Sequence, residues 1–132
     1  MSVFVDTSAF YALLDGDDAN HAKSARAWRE AMQSDQSFVT TNYVLVETFA
    51  LLQNRLGMAA VRAFQEDIVP VLDVEFVTAD THRLGIAALL ASSRRNLSLV
   101  DCVSFEVMRE LGLRSAFTFD THFREQGFAV TP

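Results

Sequence analysis

Hydrophobic positions along the chain alternate between short continuous runs and longer stretches with a three-to-four spacing. Short apolar runs are typical of buried strands, and the spaced pattern is typical of amphipathic helices. The pattern predicts strands at Ser2–Asp6, Phe38–Thr40, Val74–Val77, Ala116–Phe119 and Phe128–Val130. It predicts helices at Thr7–Leu14, from Asp17 or Asp18 to Gln33, from Thr40 or Thr41 to Arg55, and at Ala59–Ile68, Asp80–Ser93 and Leu99–Leu111.

Short strands that alternate with helices predict an α/β sandwich around a mainly parallel sheet. The second helix is expected to bury one face formed by Ala25, Trp28 and Met32. Gly57 and Gly112 are expected to end helices. With 132 residues, half of them hydrophobic, residues 1–132 are expected to form one domain.

The cysteine content and the hydropathy indicate where the protein works. Cys102 is the single cysteine and lies among Val100, Val103 and Phe105, so a small buried side chain is expected rather than a nucleophile. One cysteine forms no internal disulfide, which suits a reducing cytoplasm. The first residues lack the basic leader of a signal peptide, and no apolar stretch reaches the roughly 20 residues of a membrane span. A cytoplasmic protein without a membrane partner is therefore expected.

The net charge of −6 argues at first against nucleic acid as a partner, because phosphate binding usually requires a basic surface. Acidic side chains that converge on a divalent cation would invert the local field. The basic residues, nearly all of them arginines, would then have to cluster around such a site.

Two carboxylates lie in apolar helical segments. The neighbours of Glu47 at helical spacing are apolar, and Asp101 lies between Val100 and Cys102. An unpaired buried carboxylate is strongly unfavourable, so an arginine, a proton or a metal ion has to compensate it. For Glu47 a buried ion pair and a metal site stay open as alternatives. For Asp101 the position three residues after Ser98 also favours a helix-capping role.

Two aspartates follow apolar strands. Asp6 ends the first predicted strand and Asp120 follows the fourth, and each precedes a hydroxyl residue and a predicted helix. Ligands of open parallel sheets bind beyond the carboxyl ends of the strands, so two neighbouring strands would bring both side chains into one crevice. Either aspartate alone would also fit a helix N-cap. The four acids together favour a single acidic site.

Four carboxylates that approach one another cannot all stay ionised without a cation. The set offers oxygen ligands without a histidine or cysteine cluster, which favours Mg²⁺ or Mn²⁺ over zinc. His122 follows Asp120 by two residues and is expected to contact substrate rather than metal.

The acids lie in a recognisable order of motifs. These are Val5-Asp6-Thr7-Ser8-Ala9, Val46-Glu47, Leu97-Ser98-Leu99-Val100-Asp101-Cys102 and Phe117-Thr118-Phe119-Asp120-Thr121-His122-Phe123. Over essentially its whole length the chain resembles PIN-domain nucleases, and among them the VapC toxins of bacterial toxin–antitoxin pairs.

The resemblance implies a PIN-like three-layer sandwich, with a mainly parallel sheet of four to five short strands flanked by helices. It implies a catalytic metal site, with Mg²⁺ or Mn²⁺ as cofactor, at Asp6, Glu47, Asp101 and Asp120. Supporting or substrate-contacting roles are expected for Thr7, Ser8, Thr118, His122, Arg94 and Arg95. Many relatives carry an acid in the segment before Leu97, where this chain has Arg94-Arg95-Asn96.

The implied activity is hydrolysis of RNA to a 5′-phosphate and a 3′-hydroxyl. A protein nucleophile is not expected, because neither Ser8 nor Cys102 has an adjacent histidine base. A non-toxin RNA-processing nuclease of the same family and a catalytically silent RNA- or protein-binding module stay open. An aspartyl phosphatase would need a second aspartate where Ser8 stands, and a receiver domain a late lysine where the chain has only Lys23.

The resemblance and the high apolar content also predict partners. These are an RNA substrate, a small antitoxin and a second copy of the chain in a homodimer. Four arginines are candidates for contacts with the RNA backbone: Arg83, Arg94, Arg95 and Arg124.

Overall fold

Five short strands form one wholly parallel sheet in the computed structural model, which describes residues 1–132. The strands are β1 (Ser2–Val5), β2 (Ser37–Thr41), β3 (Leu72–Glu75), β4 (Ser115–Phe117) and β5 (Ala129–Thr131). They lie in the order β3-β2-β1-β4-β5, so the chain leaves one edge of the sheet after β3 and returns on the other side of β1. The strand order therefore reverses beside β1, where ligands of parallel sheets bind.

Seven α-helices connect and cover the strands. They are α1 (Thr7–Leu14), α2 (His21–Met32), α3 (Asn42–Arg55), α4 (Met58–Ala63), α5 (Ala79–Ser92), α6 (Leu99–Leu111) and α7 (His122–Glu125). None of the helices is both long and apolar enough to cross a lipid bilayer.

Aromatic side chains fill the space on both faces of the sheet. Trp28 of α2 stacks on Phe38 of β2 with ring centroids 4.3 Å apart. Val3 of β1 pairs with Phe38, so Phe4, the next residue, faces the opposite side of the sheet from Phe38. There it packs near Phe123, whose ring meets that of Phe105 edge to face at 5.0 Å. Helices thus cover both faces, and the predicted α/β sandwich with a parallel sheet is confirmed.

Helix α6 has the bounds that the sequence predicts, because its ends are determined locally. Ser98 caps its first turn, and Gly112 follows its last residue at φ 69°, a left-handed conformation that glycine adopts without strain. Gly85 of α5 lets α6 approach closely, since a Cβ at that position would lie 2.5 Å from Val103 Cγ2. The position of α6, and of Asp101 on it, therefore depends on the absence of a side chain at Gly85.

The prediction for the start and the buried face of α2 was wrong. The helix begins at His21 with Asn20 in the N-cap position, because Asp18 Oδ1 accepts the Asn20 N–H at 2.8 Å in a turn. Trp28 packs against the core as expected, but Met32 is exposed. The buried stripe runs instead through Ser24, Ala27, Trp28 and Ala31.

The single helix predicted at Ala59–Ile68 is in fact two short elements, and a third follows them. After α4 the chain widens into a π-helical turn at Phe64–Ile68 and tightens into a 3₁₀ turn at Val69–Val71. The fully buried Phe64 ring packs edge to face against Phe10 and Phe49, and Pro70 has no N–H for a continued helix. Packing over long sequence distances therefore overrides the regular local pattern.

Strand ends also differ from the prediction by one or two residues. β3 begins at Leu72 rather than Val74 because it pairs residue by residue with Phe38–Thr41 of β2. β4 stops at Phe117 rather than Phe119, because the Phe119 N–H bonds to the Ser8 hydroxyl instead of to a neighbouring strand. This departure from the sheet lies beside the predicted acidic site.

Candidate active site

β1 and β4 lie side by side, and their carboxyl ends carry the first two acids. Asp6 directly follows β1, and its N–H donates to the carbonyl of Phe117 at 3.1 Å. Asp120 lies three residues beyond β4. The condition on which the sequence argument depended, that these two strands are neighbours, is therefore met.

Asp6 is almost fully buried and is held by two hydroxyl groups. Its Oδ2 atom accepts hydrogen bonds from Ser8 Oγ and Thr118 Oγ1, each at 3.0 Å. Asp6 occupies the N-cap position of α1, yet its side chain makes no capping hydrogen bond. The carboxylate is therefore turned away from the helix-capping role that its sequence position allows.

The same two hydroxyl groups also fix the backbone that leads to Asp120. Ser8 Oγ accepts the Phe119 N–H, and Thr118 Oγ1 accepts the Asp120 N–H, both at 2.9 Å. The sequence suggested a supporting position for Ser8 and Thr118, but not this bridge between the two strand ends. Asp6 and Asp120 thus belong to one hydrogen-bonded unit.

Asp101 caps a helix, one of the two roles that the sequence left open, and it also lies near other acids. It forms a capping box at the start of α6, where Ser98 Oγ accepts the Asp101 N–H at 3.0 Å and Asp101 Oδ2 accepts the Ser98 N–H at 3.2 Å. The buried side chain also lies near Asp120, with ligand atoms of the two acids within 4.8 Å of each other, and its charge raises the pKa of Asp6. The capping bonds hold Asp101 in its place within the acidic group.

His122 lies among the acids, which its sequence position alone did not indicate. Asp120 Oδ1 accepts the His122 N–H at 2.9 Å, and the ring Nδ1 lies 3.0 Å from the same oxygen and 3.7 Å from Asp101 Oδ2. The ring is nine-tenths buried, and its Nδ1 makes no well-oriented hydrogen bond. Ligand atoms of Asp101, Asp120 and His122 all lie within 4.8 Å of one another.

Glu47 reaches the same crevice from α3. It is half-buried, and burial raises the pKa of its carboxyl, as do the charges of Asp6 and Asp120, while a hydrogen bond with the Thr7 side chain opposes the rise. No arginine forms an ion pair with Glu47. The buried Glu–Arg pair that the sequence left open is therefore absent.

Burial and the charges of neighbouring acids both raise the pKa values in this group. Burial raises the pKa of Asp6 from 3.8 to about 6, and the charge of Asp101 adds to the rise despite the hydrogen bonds from Ser8 and Thr118. Burial and the neighbouring Asp120 also raise the pKa of Asp101, which its bonds with Ser98 oppose. Mutual repulsion of this kind, together with the unpartnered His122 Nδ1, is what a bound cation would relieve.

The predicted basic neighbours lie outside this group. Arg94 forms an exposed ion pair with Glu125 at 2.9 Å, and Arg95 is exposed in the loop before α6. Neither forms an ion pair with any of the four acids. Arg124 of α7 lines a cavity of about 160 Å³ that Asp120 and Thr118 also line.

A parallel sheet with acids from four segments at the reversal of its strand order matches one known class of domain. The chain belongs to the PIN domain family, whose model matches residues 3–129. The resemblance that the motifs indicated is thereby confirmed.

The chain is similar to one characterised member in particular. It is 39% identical over 127 residues, 96% of this chain and 95% of the relative, to the 23S rRNA-specific endonuclease VapC20 of Mycobacterium tuberculosis, in strains CDC 1551 / Oshkosh and H37Rv. The crystal structure of VapC20, described as a sarcin-ricin loop cleaving toxin, superposes with a TM-score of 0.86 over 98% of this chain and 99% of that one.

A more distant structure shares the fold alone. FitAcB from Neisseria gonorrhoeae matches with a TM-score of 0.70 at 13% identity, over 100% of this chain and 97% of that one. The same fold therefore occurs at low sequence identity.

Proposed function

We propose that this protein is a metal-dependent endoribonuclease that hydrolyses RNA phosphodiester bonds and acts as the toxin of a toxin–antitoxin pair. The observation that carries the proposal is the proximity of Asp6, Glu47, Asp101 and Asp120. Thr118 Oγ1 bonds to both the Asp6 carboxylate and the Asp120 N–H, and ligand atoms of Asp101 and Asp120 lie within 4.8 Å of each other. The charges of Asp6 and Asp120 also raise the pKa of Glu47. The similarity to a 23S rRNA-specific endonuclease over nearly the whole chain supports the same activity.

The residues present fit a divalent cation. Carboxylate oxygens are the ligands that Mg²⁺ and Mn²⁺ prefer. A positive charge among the four acids would also offset the repulsion between their negative charges. Asp6 and Asp120 would hold the ion directly, and Glu47 and Asp101 would hold it directly or through water. When bound, such an ion neutralises phosphate oxygens and makes a water molecule more acidic.

Each protein group then has a task that its position allows. Ser8 and Thr118 keep the Asp6 carboxylate in a fixed orientation through two hydrogen bonds. Glu47, which is less buried than Asp6, orients the attacking water and accepts its proton. His122 fills the space between Asp101 and Asp120 and holds Asp120 through its backbone N–H. The oxygen of this water attacks phosphorus and the P–O3′ bond breaks. The 3′-oxygen leaves and takes a proton from solvent, which gives a 5′-phosphate and a 3′-hydroxyl.

Ribosomal RNA is the first substrate to test. The chain is 39% identical to a relative that is named for its action on 23S rRNA, so we propose the same class of substrate here. A nuclease of ribosomal RNA works in the cytoplasm, which agrees with the single unpaired cysteine.

Two protein partners belong to the proposal. A toxin that cleaves RNA requires a protein that restrains it, so a small antitoxin is expected. A second copy is expected because α3 and α5 expose large apolar side chains, namely Val46, Leu84 and Leu90. Light scattering on the purified chain and co-expression with the neighbouring reading frame test these partners. A monomer would contradict the homodimer, and unrelieved toxicity would contradict the antitoxin.

The experiment that tests the activity compares matched carboxylate variants. Asp6→Asn and Asp120→Asn each remove one charge from the crevice, whereas Asp35→Asn removes one from an exposed turn. With 23S rRNA and Mg²⁺, we expect cleavage by the wild type and Asp35→Asn and none by the other two variants. Circular dichroism controls for folding. Full activity of Asp6→Asn or Asp120→Asn would overturn the assignment.

A further inference from the structure

The crevice is strongly acidic, so a polyanionic substrate needs a cation beside it as well as one within it. Five of the eleven Lys and Arg side chains form ion pairs or line a separate cavity. Three of these five form ion pairs: Arg83 with Asp80, Arg94 with Glu125, and Arg109 with Glu106. Lys23 and Arg26 line a separate cavity beside α2.

Arg124 differs from all of these in its position. It lines the cavity of about 160 Å³ that also has Thr118, Asp120 and Thr121 in its wall. It forms no ion pair within the chain, although Asp120 lines the same cavity. The Thr121 side chain makes no helix-capping hydrogen bond, so its hydroxyl is also available to a ligand.

The backbone that carries Arg124 is fixed relative to the acids. Asp120 Oδ1 accepts the His122 N–H at 2.9 Å, and the Phe123 side chain between His122 and Arg124 is fully buried. The Gln126 N–H donates to the His122 carbonyl at 3.1 Å and closes the turn. A ligand held by Arg124 would therefore be held at a defined place beside Asp120.

We propose that Arg124 and Thr121 form an anion subsite that binds a backbone phosphate of the RNA adjacent to the one that is hydrolysed. This inference rests on the proposed function and adds a substrate-binding residue to it. A guanidinium group donates two parallel hydrogen bonds to phosphate oxygens, and a hydroxyl can donate a third. The subsite aligns the strand along the wall of the crevice and offsets part of the repulsion from the acids.

The test compares Arg124→Ala with Arg62→Ala, which removes the same charge from an exposed, unpaired position on α4. KM and kcat for 23S rRNA cleavage are measured at several NaCl concentrations. We expect Arg124→Ala to raise KM about tenfold with kcat nearly unchanged. The salt dependence of binding should lose about 0.7 from its log–log slope, the value for one contact with single-stranded RNA. Arg62→Ala should behave as the wild type.

The outcomes separate this inference from the proposed function. Unchanged KM and salt slope in Arg124→Ala would overturn the subsite, as would a fall in kcat at constant KM, while the nuclease activity itself would stand. If the wild type cleaves no RNA, the proposed function fails. Fluorescence anisotropy with a labelled RNA oligonucleotide then decides the subsite, which fails unless Arg124→Ala binds more weakly than Arg62→Ala.

Discussion

Thr118 Oγ1 lies 3.0 Å from Asp6 Oδ2 and joins the ends of two strands that are 112 positions apart in the chain. The same oxygen accepts the Asp120 N–H at 2.9 Å. One hydroxyl group thus holds the carboxylate of Asp6 and the backbone of Asp120, two acids that we propose as metal ligands. Its removal should therefore affect both the activity and the stability.

Thr118→Val tests this relationship, because valine keeps the shape and removes the hydroxyl. We expect RNA cleavage to fall about 10- to 100-fold, as is usual when a group that orients a metal ligand is lost. Stability should fall by about 1–3 kcal/mol because the Asp120 N–H loses its partner. Thr118→Ser keeps the hydroxyl and should stay close to the wild type. Equal activity of the two variants would show that the bridge is dispensable.

The locally determined elements were predicted well from the sequence. The bounds of α6 follow from Ser98 and Gly112, which fix the two ends through short-range bonds. The acids were singled out as a set, since Asp6, Asp101 and Asp120 would each also fit a helix cap when taken alone. Asp6 ends an apolar strand, and Glu47 interrupts an apolar helical segment.

Features that depend on distant contacts were not predicted. The π-helical turn at Phe64 arises from packing against Phe10 and Phe49, which lie far away in the sequence. The place of the His122 ring between two acids depends on how the turn after β4 folds onto α6. Neither the periodicity nor the motif spacing contains that information.

The His122 ring can be tested through metal affinity. His122→Ala removes the group that separates the Asp101 and Asp120 carboxylates, so Mn²⁺ binding in calorimetry should weaken about 10- to 100-fold. His21→Ala is the control, because that ring bonds to the Ala12 carbonyl on α1. Retention of wild-type Mn²⁺ affinity in His122→Ala would rule out a role for the ring in the site.

The buried acids should make the metal-free protein more stable at low pH. The pKa of Asp6 is raised from 3.8 to about 6 on folding, mainly by burial, so its stabilising protonation is complete below about pH 4 and is lost as the pH rises through 6. The corresponding loss is about 3 kcal/mol. In EDTA, the free energy of unfolding of the wild type should fall between pH 4 and pH 7.

Asp6→Asn provides the matched control for this pH dependence. Its neutral side chain does not titrate, so its stability should fall less over the same range and exceed that of the wild type at pH 7. Urea unfolding followed by the fluorescence of Trp28, the single tryptophan, measures both proteins. Parallel pH profiles would contradict the assignment of the raised pKa to Asp6.

The contact between α5 and α6 makes a separate prediction about stability. Gly85→Ala would bring a methyl group within 2.5 Å of Val103 Cγ2, so we expect a loss of about 1–3 kcal/mol from overpacking. Gly16→Ala meets no atom within 4 Å and serves as the control. Thermal unfolding of the two variants measures the difference. Equal stability would mean that the helices separate without cost.

The dependence of RNA cleavage on a divalent cation tests the central claim most directly. The wild-type protein is incubated with 23S rRNA in EDTA, and Mg²⁺ or Mn²⁺ is then added in excess. We predict no cleavage in EDTA, full cleavage after either ion is restored, and products with 5′-phosphate ends. Cleavage that persists in EDTA and disappears in Asp6→Asn would contradict the account, because the acids would then act without a metal ion.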